Sequence, residues 1–354
     1  MMSKPRKVAL KWYSPKNPPF QVAGFYWFGA ENIYRRLPLR PKARLPKAVD
    51  RLANDTAGGQ IRFRTNSRNL SIRVKMRGRG DKSAGPWYTN NDTPGDSFDC
   101  YVGAPGQQMY YGTARASRLP VSHEQAFFSV PESKTRNITL YFPLYRGVKE
   151  VSIGVDPGAK LLPPVPFKDT RPLVVYGTSI GQGGCASRPG MAYTNILGRW
   201  MIREFLNMGF AGSGKGEPEV ARALAEIQDP ACFTLFYDGN CPTPKLLKKT
   251  LPEFIRILRA AHPKVPILVI SKIKRSEEDT FDKRKTPDRM LRKRIQRRVV
   301  EVFRKRGDKR VFFQDGENLL GKYSNEGTVD ACHPSDLGCM KMAESLLPVF
   351  KKIL

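Results

Sequence analysis

The chain has 354 residues, enough for two domains, and its 40% hydrophobic and 10% aromatic content excludes global disorder. Lys and Arg number 61 against 32 Asp and Glu, a formal net charge of +29. Such an excess raises nucleic acid, anionic membrane or anionic polysaccharide as partners but identifies no chemistry.

The first 23 residues form an N-terminal segment whose apolar stretches are too short for a signal-peptide core. No run approaches the ~20 apolar residues of a membrane helix. As written, the sequence is expected to be soluble and unexported, cytoplasmic by default and secreted or periplasmic only if its start is trimmed. Residues 24–155 read as strands: GQIRFRTNS, LSIRVKM, SFDCYVG, MYYGTA, AFFSVP, NITLYFP and VKEVSIGV, separated by Gly, Pro, Asn and Asp. Short strands without helices predict a β-sandwich or jelly roll.

Residues 156–171, DPGAKLLPPVPFKDTR, read as a Pro-rich linker. From 172 to 354 the grammar changes. PLVVY, CFTLFY, VPILVIS and RVFFQD are compact apolar strands, and NMGF reads as a short one. Between them, NILGRWMIREFL, PEVARALAEI and TPKLLKKTLPEFIRILRAA carry helical stripes, with Pro218 in a first turn and Pro252 expected to kink or restart its helix. A basic helix over about 288–306 has an apolar stripe of Leu291, Ile295, Val299, Val302 and Phe303, expected to dock while its basic face is solvated. A final amphipathic helix carries Leu337, Met340, Leu346, Leu347 and Phe350. Strands alternating with helices predict a parallel sheet covered on both faces.

In such folds ligands collect beyond the carboxyl ends of the strands. After PLVVY comes Gly177-Thr178-Ser179-Ile180-Gly181, after NMGF comes Ala211-Gly212-Ser213-Gly214, and after CFTLFY comes Asp238-Gly239-Asn240. After RVFFQD and a loop comes Asp330-Ala331-Cys332-His333, just before the last helix. Ser179 is a hydroxyl nucleophile on a glycine-flanked turn, and His333 is the only one of three histidines in such a loop. Asp330 is placed to orient its imidazole. Gly212 offers a backbone N–H and Asn240 a side-chain amide to an oxyanion, as does the Ser179 N–H. Each has a structural alternative: a chance G-x-S-x-G, a turn glycine, a helix cap for Asn240, a local Asp–His ion pair. Their order along one sheet is what gives them weight. His123 and His262 read as structural or solvent-exposed, His123 reaching the site only if the β-region packs over it.

The four blocks resemble the SGNH (GDSL-type) hydrolase family. The resemblance implies a flavodoxin-like α/β/α domain, with Ser179 as nucleophile, His333 as base and Asp330 as its partner. It implies oxyanion donors from Ser179, Gly212 and Asn240. Thr178 stands where the family usually has Asp, and no Asp follows Asn240. Phe98-Asp99-Cys100-Tyr101 resembles the GxDLY-type motif of the β-domain that precedes the hydrolase in one two-domain branch, with Cys for Leu.

The expectation is therefore a serine esterase cleaving short acyl esters, with acetyl on a carbohydrate favoured. The surface aromatics Trp87, Tyr88, Tyr101, Tyr110 and Tyr111 are compatible with sugar stacking. The alternative is a non-catalytic binding protein for a polyanion or glycan, using the basic stretches KIKR, DKRK and LRKRIQRR. Partners expected are a small ester or acylated saccharide and an anionic polymer. No nucleic-acid motif is present, so no specific nucleic acid is predicted. The six cysteines include no C-x-x-C pair, and His, Cys and carboxylates do not cluster at ligand spacings along the chain, so no metal or other cofactor is implied.

Overall fold

The alternating stretches of the N-terminal half pair into two antiparallel sheets in the computed structural model, which describes residues 9–78, 96–114, 122–274, 278 and 285–354. Strands β1 (Lys11–Tyr13), β4 (Asn69–Met76), β7 (Ser122–Ser129) and β9 (Val148–Val155) make one sheet in the order β1-β9-β4-β7. The other contains β2 (Gln21–Ala23), β3 (Gln60–Thr65), β5 (Phe98–Val102), β6 (Met109–Ala114), β8 (Arg136–Tyr141) and β10 (Leu161–Leu162). Its order is β10-β3-β8-β5-β6, with β2 beside β3. Period-2 alternation sends Ile61, Phe63, Ile72, Val74, Phe98, Cys100, Ile138 and Leu140 into one core between the sheets, as a sandwich requires. Short helices α1 (Phe28–Glu31) and α2 (Lys47–Leu52) interrupt the β-region. The Pro-rich stretch is not a free tether, because Leu161 and Leu162 pair with Thr65 and Arg64 of β3.

The C-terminal half forms a five-stranded parallel sheet of β11 (Asp169–Gly177), β12 (Arg203–Gly209), β13 (Cys232–Phe236), β14 (Ile267–Ile270) and β15 (Val311–Gln314). The order is β12-β11-β13-β14-β15, the flavodoxin-like arrangement, whose switch point leaves a crevice beyond the ends of β11 and β13. The central strands β11 (from Pro172), β13 and β14 are buried on both faces. Val174, Tyr176, Phe233, Leu235, Ile267 and Val269 pack under α5 (Pro218–Ala225), α6 (Pro244–Ala261) and α7 (Lys285–Lys305). Leu173, Val175, Leu268 and Ile270 pack under α4 (Tyr193–Met201) and α8 (Asp336–Ile353). The β-region contributes to both layers, with Leu37, Val49 and Leu52 on the first and Leu144 and Tyr145 on the second. Among the described residues no helix is long and apolar enough to cross a membrane.

Three helical expectations need correction. NILGRWMIREFL is not one helix: α4 stops at Met201, Ile202 takes a left-handed φ of 52°, and Arg203 opens β12. Phe205 is thus a strand residue, its ring edge-on to Phe350 at 5.8 Å. Pro252 neither breaks nor restarts α6, which runs unbroken from Pro244 to Ala261. In α7, Leu291 is 41% exposed while Arg289, Arg292, Gln296 and Val300 are buried. Guanidinium groups with carboxylate and carbonyl partners displace an aliphatic residue from that face. The DKRK stretch falls largely outside the described residues, as do Trp87 and Tyr88, whereas Lys272, Ile273 and Lys274 of KIKR are described.

Candidate active site

The crevice beyond β11 and β13 holds a cavity of about 230 Å³ lined by Thr178, Ser179, Gly212, Asn240, Lys272 and His333, among others. Ser179 heads the short helix α3 (Ser179–Gln182), capped by the Thr178 hydroxyl, which accepts from the Ile180 N–H at 3.3 Å. Threonine thus does the local work expected of the missing aspartate, since both cap well. The turn is packed against the end of β12: a Cβ on Gly209 would lie 2.1 Å from the Gln182 nitrogen, so only glycine fits.

His333 reaches the serine from the loop before α8. Its Nε2 lies 2.8 Å from Ser179 Oγ and its Nδ1 lies 2.7 Å from Asp330 Oδ2. Asp330 also accepts the backbone N–H groups of Cys332 at 3.1 Å and His333 at 2.7 Å, which folds Asp-x-x-His into a tight turn with Ala331 at φ 62°. Burial works to raise the Asp330 carboxyl, but these hydrogen bonds and the imidazole hold it below the usual carboxylate range. Ser179 is 6% exposed, so the hydroxyl is largely shielded from bulk water.

The two expected oxyanion donors line the same cavity. Gly212 has φ 66°, and nothing lies within 4 Å of a Cβ built on it. The residue is glycine for its left-handed backbone rather than for want of space. Asn240 Nδ2 donates to the Phe210 carbonyl at 3.1 Å, which uses one amide hydrogen and leaves a second. The turn carrying Asn240 is held from α7: Arg292 Nη1 donates to the carbonyls of Asp238 and Cys241, both at 2.9 Å. Within the turn, burial pushes the Asp238 carboxyl up to about 6, with Lys272 and Arg292 opposing. Four of the sequence-predicted site residues, Ser179, Gly212, Asn240 and His333, line this cavity, and the fifth, Asp330, reaches it through His333 Nδ1.

Cys185 is an addition that spacing along the chain does not reveal. Its Sγ and ligand atoms of Asp330 and His333 lie within 4.8 Å of one another. Folding brings these three together although their spacing along the chain does not mark them, and both imidazole nitrogens already face Ser179 and Asp330. Burial, with Asp330 and Cys332 adding to it, pushes the Cys185 thiol up to about 12, so it is a neutral neighbour rather than a second nucleophile. His123 and His262 stand elsewhere. His123 sits on β7 opposite Val74, lining a separate cavity with Arg73, Lys75 and Glu150. His262 Nε2 contacts the Ala225 carbonyl at 3.0 Å.

The motif of β5 docks the loop that follows α3. Asp99 accepts from the Gly190 N–H at 2.7 Å, Arg188 Nη1 at 3.0 Å and the Thr113 hydroxyl at 2.7 Å. Tyr101 accepts from the same Arg188 nitrogen at 2.7 Å. Tyr101 is consequently buried and is no sugar platform, whereas Tyr110 and Tyr111 are exposed.

Residues 170–351 match the model of the GDSL-like lipase/acylhydrolase family, and residues 10–161 match that of the GxDLY N-terminus of SGNH-hydro-type esterases. A Bacteroides ovatus protein described as a GDSL-like lipase shares 30% identity over 98% of both chains, with a TM-score of 0.86. Similar folds with less identity include the salicylyl-acyltransferase SsfX3 of a tetracycline biosynthetic pathway, at 19% identity over 96% of both chains and a TM-score of 0.72. A family two carbohydrate esterase from Cellvibrio japonicus aligns at 12% identity over 98% of both chains, TM-score 0.60. No curated protein matches the sequence. The chain belongs to the GDSL-like lipase/acylhydrolase family, as an esterase carrying the GxDLY-type N-terminal domain.

Proposed function

We propose that the protein removes a short acyl group, acetyl in the favoured case, from a saccharide hydroxyl through an acyl-enzyme on Ser179. The observation that carries this reading is the Ser179–His333–Asp330 chain, at 2.8 and 2.7 Å, opening on a cavity shared with Gly212 and Asn240. In that reading His333 Nε2 takes the Ser179 proton as Oγ attacks the ester carbonyl, and Asp330 stabilises the imidazolium. The oxyanion is held by the N–H groups of Ser179 and Gly212 and by the second Asn240 amide hydrogen. Collapse breaks the ester C–O bond, and His333 returns the proton to the departing alkoxide. Water, deprotonated by His333, then adds to the acyl carbonyl; collapse breaks the acyl C–Oγ bond, the His333 proton returns to Ser179 Oγ, and the acid leaves.

Cavity size supports the short acyl group: about 230 Å³ falls below the roughly 300–1,000 Å³ of pockets that enclose drug-sized ligands. The carbohydrate esterase among the similar folds supports the saccharide. Turnover is expected to fall steeply from acetyl to octanoyl p-nitrophenyl esters, and acetylated oligosaccharides should release acetate. Faster turnover of octanoyl than acetyl esters would overturn the short-acyl assignment. Asn240→Ala should lower kcat by roughly 10²–10³, the cost of one oxyanion donor. An unchanged kcat in a folded Asn240→Ala protein would remove Asn240 from the site.

A further inference from the structure

We infer that Gln182 is a positioning residue for the loop that bears Gly212, and that it transmits to that loop the placement of the N-terminal half of the chain. The inference rests on the reading of Gly212 as an oxyanion donor. Gln182 is the last residue of α3 and is completely buried. Its side-chain amide is bonded on both sides. Nε2 donates to Asp55 Oδ2 at 3.0 Å and to the Leu144 carbonyl at 3.1 Å, both in the β-region. Oε1 accepts the Ala211 N–H at 3.0 Å. Ala211 directly precedes Gly212, so one planar amide fixes the serine turn, two points of the N-terminal half and the loop of the candidate donor.

The bond matters because it ties the Ala211–Gly212 backbone to residues outside its own turn. Gly212 has a left-handed backbone and open space where a side chain would be, so it has no side-chain packing to hold its N–H in direction. On one side, Phe210 is anchored by its N–H to the Gly177 carbonyl and through its carbonyl to Asn240. On the other, Ser213 and Gly214 donate to the Phe210 carbonyl. Gln182 supplies the remaining tie, and Asp55 supplies the charge that keeps the amide in the orientation presenting Oε1 to Ala211: a flipped amide would set Oε1 against a carboxylate and a carbonyl. Asp55 in turn lies beside the buried Arg36 guanidinium, whose Nη1 donates to the Gly209 carbonyl two residues before Ala211. Among the described residues the N-terminal half lines no part of the site cavity, yet in this reading it sets where the oxyanion is received.

Gln182→Met keeps the volume and removes all three bonds. It is expected to lower kcat by roughly 10–10²-fold with KM within about twofold, the pattern of a lost transition-state contact, and to weaken a boronic-acid transition-state analogue by a similar factor. Asp55→Asn, which keeps the shape but removes the charge that orients the amide, should lower kcat by less than Gln182→Met, while Asp55→Leu should resemble Gln182→Met. Circular dichroism on each variant separates misfolding from misplacement. A folded Gln182→Met protein with parental kcat, or one whose loss appears in KM and leaves the boronic acid binding unchanged, overturns the inference. If Asn240→Ala is also unimpaired, the oxyanion assignment itself fails. If Asn240→Ala is impaired and Gln182→Met is not, only the role of Gln182 fails.

Discussion

Ser179→Ala is expected to lower ester turnover by roughly 10⁵–10⁶ while leaving the fold intact, the scale seen when a serine hydrolase loses its nucleophile. The substitution deletes one oxygen from a side chain that is only 6% exposed. It breaks one hydrogen bond, that to His333 Nε2, worth about 1 kcal/mol of stability. The backbone bonds of the turn survive, because the Ser179 carbonyl still accepts from Gly183, Gly184 and the Tyr145 hydroxyl. The residual rate would come from the oxyanion donors and from substrate binding, which remain. His333→Ala should match it within an order of magnitude, because the two groups act as a unit. Turnover of p-nitrophenyl acetate, with far-ultraviolet circular dichroism on the same samples, measures both halves of the expectation. Parental turnover in a folded Ser179→Ala protein would remove the serine from the mechanism.

The strands and the site blocks were legible because they are written in short-range patterns. β3 and β4 alternate residue by residue, the apolar runs of β11, β13 and β14 are buried on both faces, and each candidate site residue follows directly on a strand or precedes a helix. The supporting residues lack that signature. Arg292 sits in LRKRIQRR among arginines that meet solvent, and spacing cannot show that its guanidinium turns inward to two carbonyls of the Asn240 turn. Arg36, Asp55 and Gln182 are far apart in sequence and meet only after the two halves dock. The end of α4 is not legible because Phe205 continues the helical stripe of Ile196, Leu197, Trp200 and Met201, and nothing in the pattern signals that Ile202 adopts a left-handed backbone. The charge of +29 also changes meaning in the fold, since Arg36, Arg289 and Arg292 are structural and buried.

Arg36→Met is expected to destabilise the protein by about 3–5 kcal/mol, the cost of removing one partner from a buried charged network. Arg36 has no exposed surface, and its ring-facing side stacks over Phe210 at 4.8 Å. Its nitrogens donate to the carbonyls of Leu52 at 2.6 Å, Asp55 at 2.9 Å, Asn207 at 3.3 Å and Gly209 at 2.5 Å. Two of these lie in the N-terminal half and two at the end of β12, so methionine would remove four buried hydrogen bonds that tie the two together. Arg36→Lys should recover only part of the loss, because a single ammonium cannot span the fork. The deficit should also depend on pH. Burial pushes the Asp55 carboxyl up to about 6 even with Arg36 opposing it, above its ordinary value of 3.8. An acid raised in the folded state binds more protons there than in the unfolded chain, so stability falls as pH rises between the two values. Without Arg36 the folded value moves higher, and the fall continues to higher pH. Urea unfolding at about pH 5 and pH 7 should therefore show a larger gap between Arg36→Met and parent at pH 7. A gap under about 1 kcal/mol at both pH values would mean that the docked halves do not depend on this guanidinium. A gap that narrows at pH 7 would mean that the Asp55 carboxyl does not feel its charge.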